Sequence, residues 1–217
     1  MERFPAFPNV LQVVVLGDGA VGKTSLCNRM ALDSFSHSYK QTVGTDFFLR
    51  RFELPGDVIV QLQLWDIGGQ SLGSKMISRY LSGADAVVYV YDITNAESFH
   101  NLEDWLSVAT ASDTDSEVSY SQVLIGNKTD LSHVREVKMA EHDRFARSHG
   151  MGVALTSAKT GDGVDQAFLK LAAQLAGVKL TRPDIHARSK IIAAELINHE
   201  RNDPKVEEPD IRGAAKK

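Results

Sequence analysis

The stretch that decides the fold is LQVVVLGDGAVGKTSLCNRM, residues 11–30. Its first six residues form an apolar run that predicts a buried strand, and residues 25–30 can continue as a helix. Between them lies the pattern G-x-x-x-x-G-K-[ST]. Its glycines let the chain turn tightly, so that several backbone N–H groups point at one anion beside a positively polarised helix N-terminus. This order of strand, glycine loop and helix predicts a cradle for nucleotide phosphates.

Two side chains at the end of this loop have specific expected roles. Lys23 would reach the β and γ phosphates, and the Thr24 hydroxyl would be a ligand of the Mg²⁺ that bridges them. We expect the loop and the start of the helix to bind the nucleotide through Gly17, Asp18, Gly19, Ala20, Val21, Gly22, Lys23, Thr24 and Ser25.

The same loop also contains the pattern G-x-G-x-x-G, formed by Gly17, Gly19 and Gly22. A dinucleotide-binding turn or a kinase glycine loop could show this pattern. Lys23 and Thr24 argue against both, because a dinucleotide turn has no need of a lysine there and no H-R-D or D-F-G follows for a kinase.

The composition is that of one globular domain. The chain has 217 residues, 43% of them hydrophobic, and a formal net charge of −4. No apolar run is long enough to span a bilayer, and residues 1–8 lack the apolar stretch of a signal peptide. The single cysteine, Cys27, excludes an internal disulfide and favours a reducing cytoplasm. The mild acidity argues against nucleic-acid binding, and the seven scattered histidines lack metal-ligand spacing.

Strand-like and helix-like segments alternate along the chain. Further strands are predicted at 47–54, 58–65, 86–91, 123–125 and 153–155, and helices at 71–80, 98–109, 140–150 and 164–177. A turn at Pro55-Gly56-Asp57 makes the first two of these strands a hairpin, which places an antiparallel strand at the sheet edge. The alternation predicts an α/β fold of the P-loop NTPase type, a six-stranded, mainly parallel sheet with helices on both faces.

Two polar segments follow predicted strands and suggest a second half of the site. Asp66 comes at the end of one strand, where its carboxylate could orient a metal-bound water. Gly69 could sense a γ-phosphate through its N–H, and the Gln70 carboxamide could orient an attacking water. The long polar loop before that hairpin, residues 33–46, is also expected to be functional.

The other polar segment predicts a site for the base. Asn127, Lys128 and Asp130 follow a buried strand, at the edge where ligands bind in open α/β sheets. The Asp130 carboxylate can accept both the ring N–H and the exocyclic amino group of guanine, which adenine does not offer. The Lys128 stem can lie over the base, and Asn127 can tie this loop to the phosphate loop.

Taken together and in order, these segments resemble the Ras-like small GTPases from about residue 11 to residue 177. The segments that carry the resemblance are the phosphate loop, Thr42, Asp66-x-x-Gly69-Gln70, Asn127-Lys128-Thr129-Asp130 and Ser157-Ala158-Lys159. Residues 43–47, 64–66 and 90–94 are similar to the Rab branch. More narrowly, residues 44–51, 54–56 and 101–105 are similar to the divergent Rab twenty-eight type.

The resemblance implies a molecular switch with GTP or GDP and Mg²⁺ as cofactors. GTP would hold Thr42 and Gly69 inward, and hydrolysis would release both loops. Catalysis would use Gln70, Lys23 and Gly69, and the metal would be held by Thr24, Thr42 and Asp66. Further nucleotide contacts implied by the resemblance are those of Phe35 on the guanine edge, the Ala158 N–H at O6, Tyr39, Ser157 and Lys159.

The same resemblance implies protein partners. Effectors would bind the two switch regions, Phe35–Phe47 and Gln70–Tyr80, and an exchange factor and a GTPase-activating protein would act on the chain. Three residues depart from the usual Rab pattern, namely Ile67, Gly68 and Ser71. Because Gly68 adds backbone freedom beside Gln70, we expect slow intrinsic turnover that relies on the arginine of an activating protein.

We expect three regions, namely an N-terminal extension at 1–10, the GTPase domain at 11–177, and a C-terminal helix and disordered tail at 178–217. Thr181 and Asp184 form a plausible capping box for that helix. The chain ends in Arg-Gly-Ala-Ala-Lys-Lys rather than in the prenylatable cysteines common among Rabs, which predicts indirect or weak membrane contact. The expected location is the cytoplasm, with recruitment to endosomal membranes or the cilium base implied only by the resemblance.

Three functions compete at this point. The first is a Mg²⁺-dependent GTP hydrolase that acts as a timed switch in vesicle, endosomal or ciliary traffic. The second is a nucleotide-locked adaptor or complex subunit, which the altered Ile67-Gly68 pair would favour. The third, an adenine-nucleotide kinase, is disfavoured by Asp130.

Overall fold

The computed structural model describes residues 9–74, 76–111 and 120–185, without the side chains of Met76 and Ala111. The chain divides into two compact units, Met1–Leu180 and Thr181–Lys217. The elements of the first unit are, in order, β1 (Asn9–Leu16), α1 (Lys23–Leu32), β2 (Thr45–Leu54), β3 (Val58–Ile67), α2 (Met76–Leu81), β4 (Ala86–Asp92), α3 (Ala96–His100), α4 (Leu102–Ala111), β5 (Ser121–Asn127), a 3₁₀ helix (Thr129–Val134), α5 (Met139–Ser148), β6 (Gly152–Leu155) and α6 (Val164–Leu175).

The six strands form one sheet in the order β2-β3-β1-β4-β5-β6. All neighbouring strands run parallel except β2 and β3, which pair antiparallel from Thr45 opposite Ile67 to Leu54 opposite Val58. The predicted α/β fold, with a mainly parallel sheet and one antiparallel edge strand, is therefore confirmed. The carboxyl ends of β1, β3, β4 and β5 meet at one edge, where loops can form a site.

Both faces of the sheet are covered, as the continuous apolar run of β1 predicts. Val13 and Val15 pack into one core cluster with α1 and α6, whereas Val14 and Leu16 pack into the other with α2, α4 and α5. All four side chains are fully buried. Alternate side chains of a strand point to opposite faces, so a strand that is covered on both sides must be apolar throughout.

Two predicted helices differ from the structure. The helix predicted at 71–80 begins only at Met76, and residues 71–74 form turns because Gly73 has a φ of +82°, outside the helical range. The helix predicted at 98–109 is split into α3 and α4 at Asn101, whose side chain turns to the phosphate loop. The Asn95 side chain caps α3 by accepting from the Ser98 N–H, which starts that helix earlier than predicted.

In the second unit, residues 182–185 form a helical turn. The Asp184 carboxylate accepts hydrogen bonds from the Thr181 N–H and hydroxyl, at 2.7 and 2.6 Å, and these bonds lower the pKa of Asp184. The bond from the Thr181 N–H to the Asp184 carboxylate is one of the two contacts that make up a capping box. Residues 186–217, which hold the rest of the predicted C-terminal helix and the predicted tail, lie outside the described residues, as do residues 1–8 and 112–119. Across ranges 9–74, 76–111 and 120–185, no helix has the length and hydropathy to cross a bilayer.

Candidate nucleotide site

A cavity of about 760 Å³ opens at the carboxyl edge of the sheet. Its walls come from the phosphate loop, the loop after α1, the turn after β3, and the loops after β5 and β6. The lining residues predicted to bind the nucleotide or to catalyse are Gly19, Ala20, Gly22, Lys23, Thr24, Ser25, Phe35, Tyr39, Thr42, Gly69, Gln70, Asn127, Lys128, Asp130, Ala158 and Lys159. A volume of this order suits a ligand the size of a nucleotide.

The phosphate loop has the backbone shape that its glycines permit. Gly17 has a φ of +139°, and a Cβ there would lie 2.1 Å from the Val90 carbonyl oxygen. Gly22 has a φ of +95° and precedes the first residue of α1. No other residue type fits the first of these positions without moving the backbone, so the two glycines fix the path of the loop beneath the cavity.

Lys23 lies at the N-terminus of α1 with only 6% of its surface exposed. Its ammonium donates to the carbonyl oxygens of Gly17 and Asp18, both at 2.7 Å. Burial lowers the pKa of Lys23 to about 8, and the negative charges of Asp66 and Asp18 oppose that effect. A phosphate group in the cavity would add negative charge and so favour the charged form further.

Three oxygen-bearing side chains meet beside Lys23. The Thr24 hydroxyl lies 2.7 Å from the Thr42 hydroxyl and donates to Asp66 Oδ2 at 2.5 Å, and the Thr42 hydroxyl lies 3.3 Å from the same oxygen. These residues come from α1, the loop before β2 and the end of β3. The structure thus brings together the three residues that were predicted to hold a metal.

The arrangement of these three residues fits Mg²⁺. Asp66 is fully buried, and its Oδ1 has no hydrogen-bond partner among the residues that the structure describes. Burial raises the pKa of the Asp66 carboxyl, although the hydrogen bond from Thr24 and the charge of Lys23 act against the rise. An unpaired buried carboxylate oxygen beside two hydroxyls offers only oxygen ligands, which a hard divalent cation or its bound water prefers. The described residues contain no group of three or more His, Cys, Asp or Glu side chains that could hold a metal.

The turn after β3 packs directly on the phosphate loop and on the loop before β2. A Cβ on Gly69 would lie 2.2 Å from the Gly19 backbone nitrogen, and a Cβ on Gly68 would lie 2.6 Å from the Thr42 carbonyl oxygen. The Gly68 N–H also donates to the Gly44 carbonyl oxygen at 3.0 Å. Gly68, which lies two residues before the second predicted switch region, therefore touches the first one backbone to backbone.

The other end of the cavity is built around Asn127. Its amide donates to the Val21 carbonyl oxygen at 3.0 Å, and its Oδ1 accepts from the Thr156 hydroxyl and the Ala158 N–H, both at 3.2 Å. The prediction that Asn127 ties this loop to the phosphate loop describes the observed contact. The resemblance assigned the Ala158 N–H to guanine O6, and in the structure that N–H is directed at Asn127, so a base would have to share it.

Asp130 and Lys128 are held in place by neighbouring polar groups. Asp130 Oδ1 accepts from the Ser157 hydroxyl at 2.6 Å, and the Lys159 ammonium lies 3.9 Å from Oδ2. The Lys128 ammonium pairs with Asp92 at 2.6 Å, and Lys128 has a φ of +68°. These contacts fix the Lys128 stem at the cavity wall. Asp92 was not singled out from the sequence, although its place at the end of a buried strand was the available signal.

Five predicted site residues lie behind the cavity lining rather than in it, namely Gly17, Asp18, Val21, Asp66 and Ser157. The Asp18 side chain turns away from the cavity and accepts from Asn101 Nδ2 at 2.7 Å and from Trp105 Nε1 at 2.8 Å. Two neutral donors thus hold a carboxylate of the phosphate loop away from the place that phosphates would occupy. Asn101 and Trp105 were missed as site residues because they lie more than 80 positions from Asp18.

The two aromatic residues predicted at the site differ in their setting. Phe35 lies partly buried against the core cluster of α1 and α6, edge-on to His37 with ring centroids 5.1 Å apart. Tyr39 is 68% exposed. Phe35 is therefore placed firmly enough to act as a wall for a base, whereas Tyr39 lines the cavity from its solvent side.

Comparisons with known proteins agree with this geometry. The description of the Ras family matches residues 12–177 of the chain. The chain is 47% identical over 188 residues to Ras-related protein Rab-28 of Caenorhabditis elegans, which covers 87% of this chain and 76% of that protein. It is 36% identical over 167 residues to Ras-related protein Rab-13 of Bos taurus and to that of Canis lupus familiaris, covering 77% of this chain and 80% of each relative. The chain therefore belongs to the Ras family of small GTPases, within its Rab branch.

Proposed function

We propose that this chain is a Mg²⁺-dependent switch that binds GTP in the cavity described above and hydrolyses it to GDP, with the residue roles that follow. Members of the Ras family bind and hydrolyse GTP in general. The observation that carries the residue-level proposal is the meeting of Thr24, Thr42 and Asp66 at one end of a cavity whose other end is lined by Asp130. One end suits a metal with phosphates, and the other suits a purine that offers two donors.

At the phosphate end, Lys23 would bind oxygens of the β and γ phosphates through its ammonium. Thr24 and Thr42 would hold Mg²⁺ and Asp66 would orient its bound water. When bound, the ion would neutralise the negative charge that develops on the phosphates. Gly69 lies against the phosphate loop, where its N–H can sense a γ-phosphate, and Gln70 lines the same end of the cavity and can orient the attacking water.

At the base end, Asp130 would accept from the guanine ring N–H and exocyclic amino group. Ser157 and Lys159 hold that carboxylate in place. Adenine would offer that carboxylate no donors from the base, and an acceptor left unpaired in a closed site costs about 1 to 3 kcal/mol. This difference in binding free energy supports guanine as the base.

We expect intrinsic hydrolysis to be slow. Gly68 and Ile67 flank the segment that carries Gln70, and the Gln70 side chain is exposed. A Cβ on Gly19 would meet no atom within 4 Å, so the phosphate loop leaves room for an arginine supplied by an activating protein. An intrinsic rate near 10⁻² s⁻¹, about that of a Gα subunit with its own arginine, would contradict this part of the proposal.

The proposed effector surface is centred on three aromatic rings. Phe47 packs on Trp65 with ring centroids 4.2 Å apart, and Trp65 packs on Tyr80 at 4.9 Å. Phe47 remains 55% exposed, and Val43 in the preceding loop is 90% exposed. Exposed apolar side chains next to segments that contact Thr42 suit partners that distinguish the GTP form from the GDP form.

The proposed process is vesicle, endosomal or ciliary traffic, supported by the similarity to Rab proteins alone. The proposed location is the cytoplasm with recruitment to endosomal membranes or the cilium base by partners. A fluorescently tagged chain in ciliated cells that labels neither endosomes nor the cilium base in its GTP form would contradict this placement. Family membership favours the hydrolysing switch over the nucleotide-locked adaptor.

The experiment that tests the enzymatic proposal is multiple-turnover GTP hydrolysis with Mg²⁺, comparing the wild type with Gln70→Leu. Gln63→Leu is the matched control, because Gln63 lies on β3 and does not line the cavity. We expect Gln70→Leu to lower the rate and Gln63→Leu to leave it unchanged. Equal rates in all three proteins would show that Gln70 does not orient the attacking water.

A further inference from the structure

Arg29 joins the helix of the phosphate end to the loop of the base end. It lies on α1, six residues after Lys23, and does not line the cavity. Its Nε donates to the Ala158 carbonyl oxygen at 3.0 Å, and its Nη2 donates to the Lys159 carbonyl oxygen at 2.9 Å. Since α1 begins with Lys23, these contacts tie the base loop to the same helix that carries the phosphate end of the site.

The remaining edge of the Arg29 guanidinium is held by the end of α1 itself. Nη1 donates to the Asp33 carbonyl oxygen at 3.0 Å and to its Oδ1 at 2.9 Å. Asp33 follows the last residue of the helix with a φ of +48°. The Arg29 side chain is only 17% exposed. A planar group held along three edges is pre-organised, and a lysine, with one nitrogen, cannot make the same set of contacts.

Ala158 is consequently held from two sides. Its carbonyl oxygen accepts from Arg29, and its N–H donates to Asn127 Oδ1 at 3.2 Å. Ala158 is 4% exposed, with that small surface on the cavity. Since a peptide unit is planar, fixing the Ala158 carbonyl fixes the whole peptide between Ala158 and Lys159 and restricts rotation about the Ala158 Cα.

We propose that Arg29 is a specificity-determining positioning residue, which holds Ala158 at the base end of the cavity so that its N–H, bonded to Asn127 Oδ1, is shared with the acceptor at position 6 of a guanine base. This inference rests on the proposed function and deepens it, because Arg29 would act through the loop without touching the nucleotide. Adenine carries an amino donor at position 6, so an N–H held there disfavours it. The contacts that hold Asp130, which reads the opposite side of the base, come from Ser157 and Lys159 side chains rather than from Arg29.

The two ends of the base can be probed separately with nucleotide analogues. 6-thio-GDP replaces the position-6 oxygen by a weak acceptor and keeps the donors that face Asp130. IDP lacks the exocyclic amino group and keeps the position-6 oxygen. Competition against a fluorescent GDP gives the affinity of the wild type, Arg29→Lys and Arg29→Ala for GDP, ADP and both analogues at pH 7.

Arg50→Lys is the matched control. Arg50 also binds the end of α1, through the Met30 carbonyl oxygen, and it pairs with Asp165 at 2.5 Å; in the part of the chain that the structure describes, none of these polar contacts involves residues 157–159. Thermal unfolding of each variant with saturating GDP shows that it is folded. If Arg29→Ala does not fold, Arg29→Lys carries the test, because it keeps the charge and the aliphatic stem.

We expect the wild type to bind GDP about threefold to tenfold more tightly than 6-thio-GDP, the range for one hydrogen bond. In both Arg29 variants this ratio should approach one, while the GDP to IDP ratio stays within about twofold of the wild type. Arg50→Lys should change neither ratio. An unchanged 6-thio-GDP ratio, or an equal fall of both ratios, would overturn the inference. A wild type that does not prefer GDP to ADP would instead refute the proposed guanine site.

Discussion

Replacing Gly68 by alanine tests how the first switch region is coupled to the turn that leads into the second. The new Cβ would lie 2.6 Å from the Thr42 carbonyl oxygen and 3.3 Å from that of Gly44. Gly68 is not among the residues with positive φ, so space rather than backbone strain determines the outcome. The Thr42 backbone must move to relieve the overlap. The Thr42 hydroxyl, 2.7 Å from that of Thr24, would then leave the proposed metal site.

The expected cost follows from the overlap. Inserting one methyl group into a close-packed contact costs about 1 to 3 kcal/mol. Because 1.4 kcal/mol is a factor of ten, the closed arrangement of Thr42 should become roughly fivefold to 150-fold less favourable. We propose that only the GTP form uses this arrangement of Thr42. The substitution should therefore weaken the binding of GTP and leave the binding of GDP unchanged.

The assay is the dissociation rate of a fluorescent, non-hydrolysable GTP analogue with Mg²⁺, measured beside that of fluorescent GDP. Gly152→Ala is the matched control, because a Cβ there would meet ordinary contacts at 3.7 Å, away from the cavity. We expect Gly68→Ala to speed release of the GTP analogue selectively. Unchanged release, or equal acceleration for GDP, would refute the proposed coupling through Gly68.

Three further variants have clear expectations. Asp130→Asn replaces an acceptor by a donor, so the affinity for GDP should fall roughly 10-fold to 150-fold. Xanthosine diphosphate, which carries an oxygen in place of the amino group, should bind better to this variant than to the wild type. An unaltered base preference in competition binding would contradict the role of Asp130. Trp105→Phe removes a donor to the Asp18 carboxylate and should lower the free energy of unfolding, measured in urea, by about 1 to 3 kcal/mol, with a smaller loss in an Asp18→Asn background. Burial lowers the pKa of His142, whose Nδ1 lies 3.0 Å from the Tyr91 hydroxyl. The unfolded chain therefore takes up a proton before the folded one, and stability should fall as the pH drops below about 6.5. His142→Gln should reduce that slope, and identical slopes in urea titrations would count against the assignment.

Local pattern and motif order predict most of this fold. The apolar run of β1 and the alternation of strands and helices are properties of neighbouring residues, and they suffice for the order of elements and the covered sheet. The predicted boundaries of two helices were wrong. The observed start at Met76 and the break at Asn101 have causes that hydrophobic periodicity does not show. Gly73 adopts a positive φ that periodicity does not reveal, and the side chain of Asn101 bonds to a loop distant in sequence.

The residues of the candidate site also divide into those that a local pattern predicts and those that depend on contacts between distant segments. The groups that face the cavity belong to short motifs, so Lys23, Thr24 and Asp130 could be predicted from the sequence. The groups that hold those motifs in place could not, because Arg29, Asp92 and Trp105 act across contacts between distant segments. Apart from the place of Asp92 at the end of a buried strand, no local pattern marks these residues, since their side chains gain a role only when the sheet brings its loops together.

The most direct measurement is the identity of the nucleotide released when the purified, full-length chain is denatured. Chromatography of the released material distinguishes guanine from adenine nucleotides and diphosphate from triphosphate. The proposed site predicts GDP or GTP at about one molecule per chain, with loss of the nucleotide on chelation of Mg²⁺. Release of an adenine nucleotide, or failure to load added GDP in the presence of Mg²⁺, would contradict the central claim.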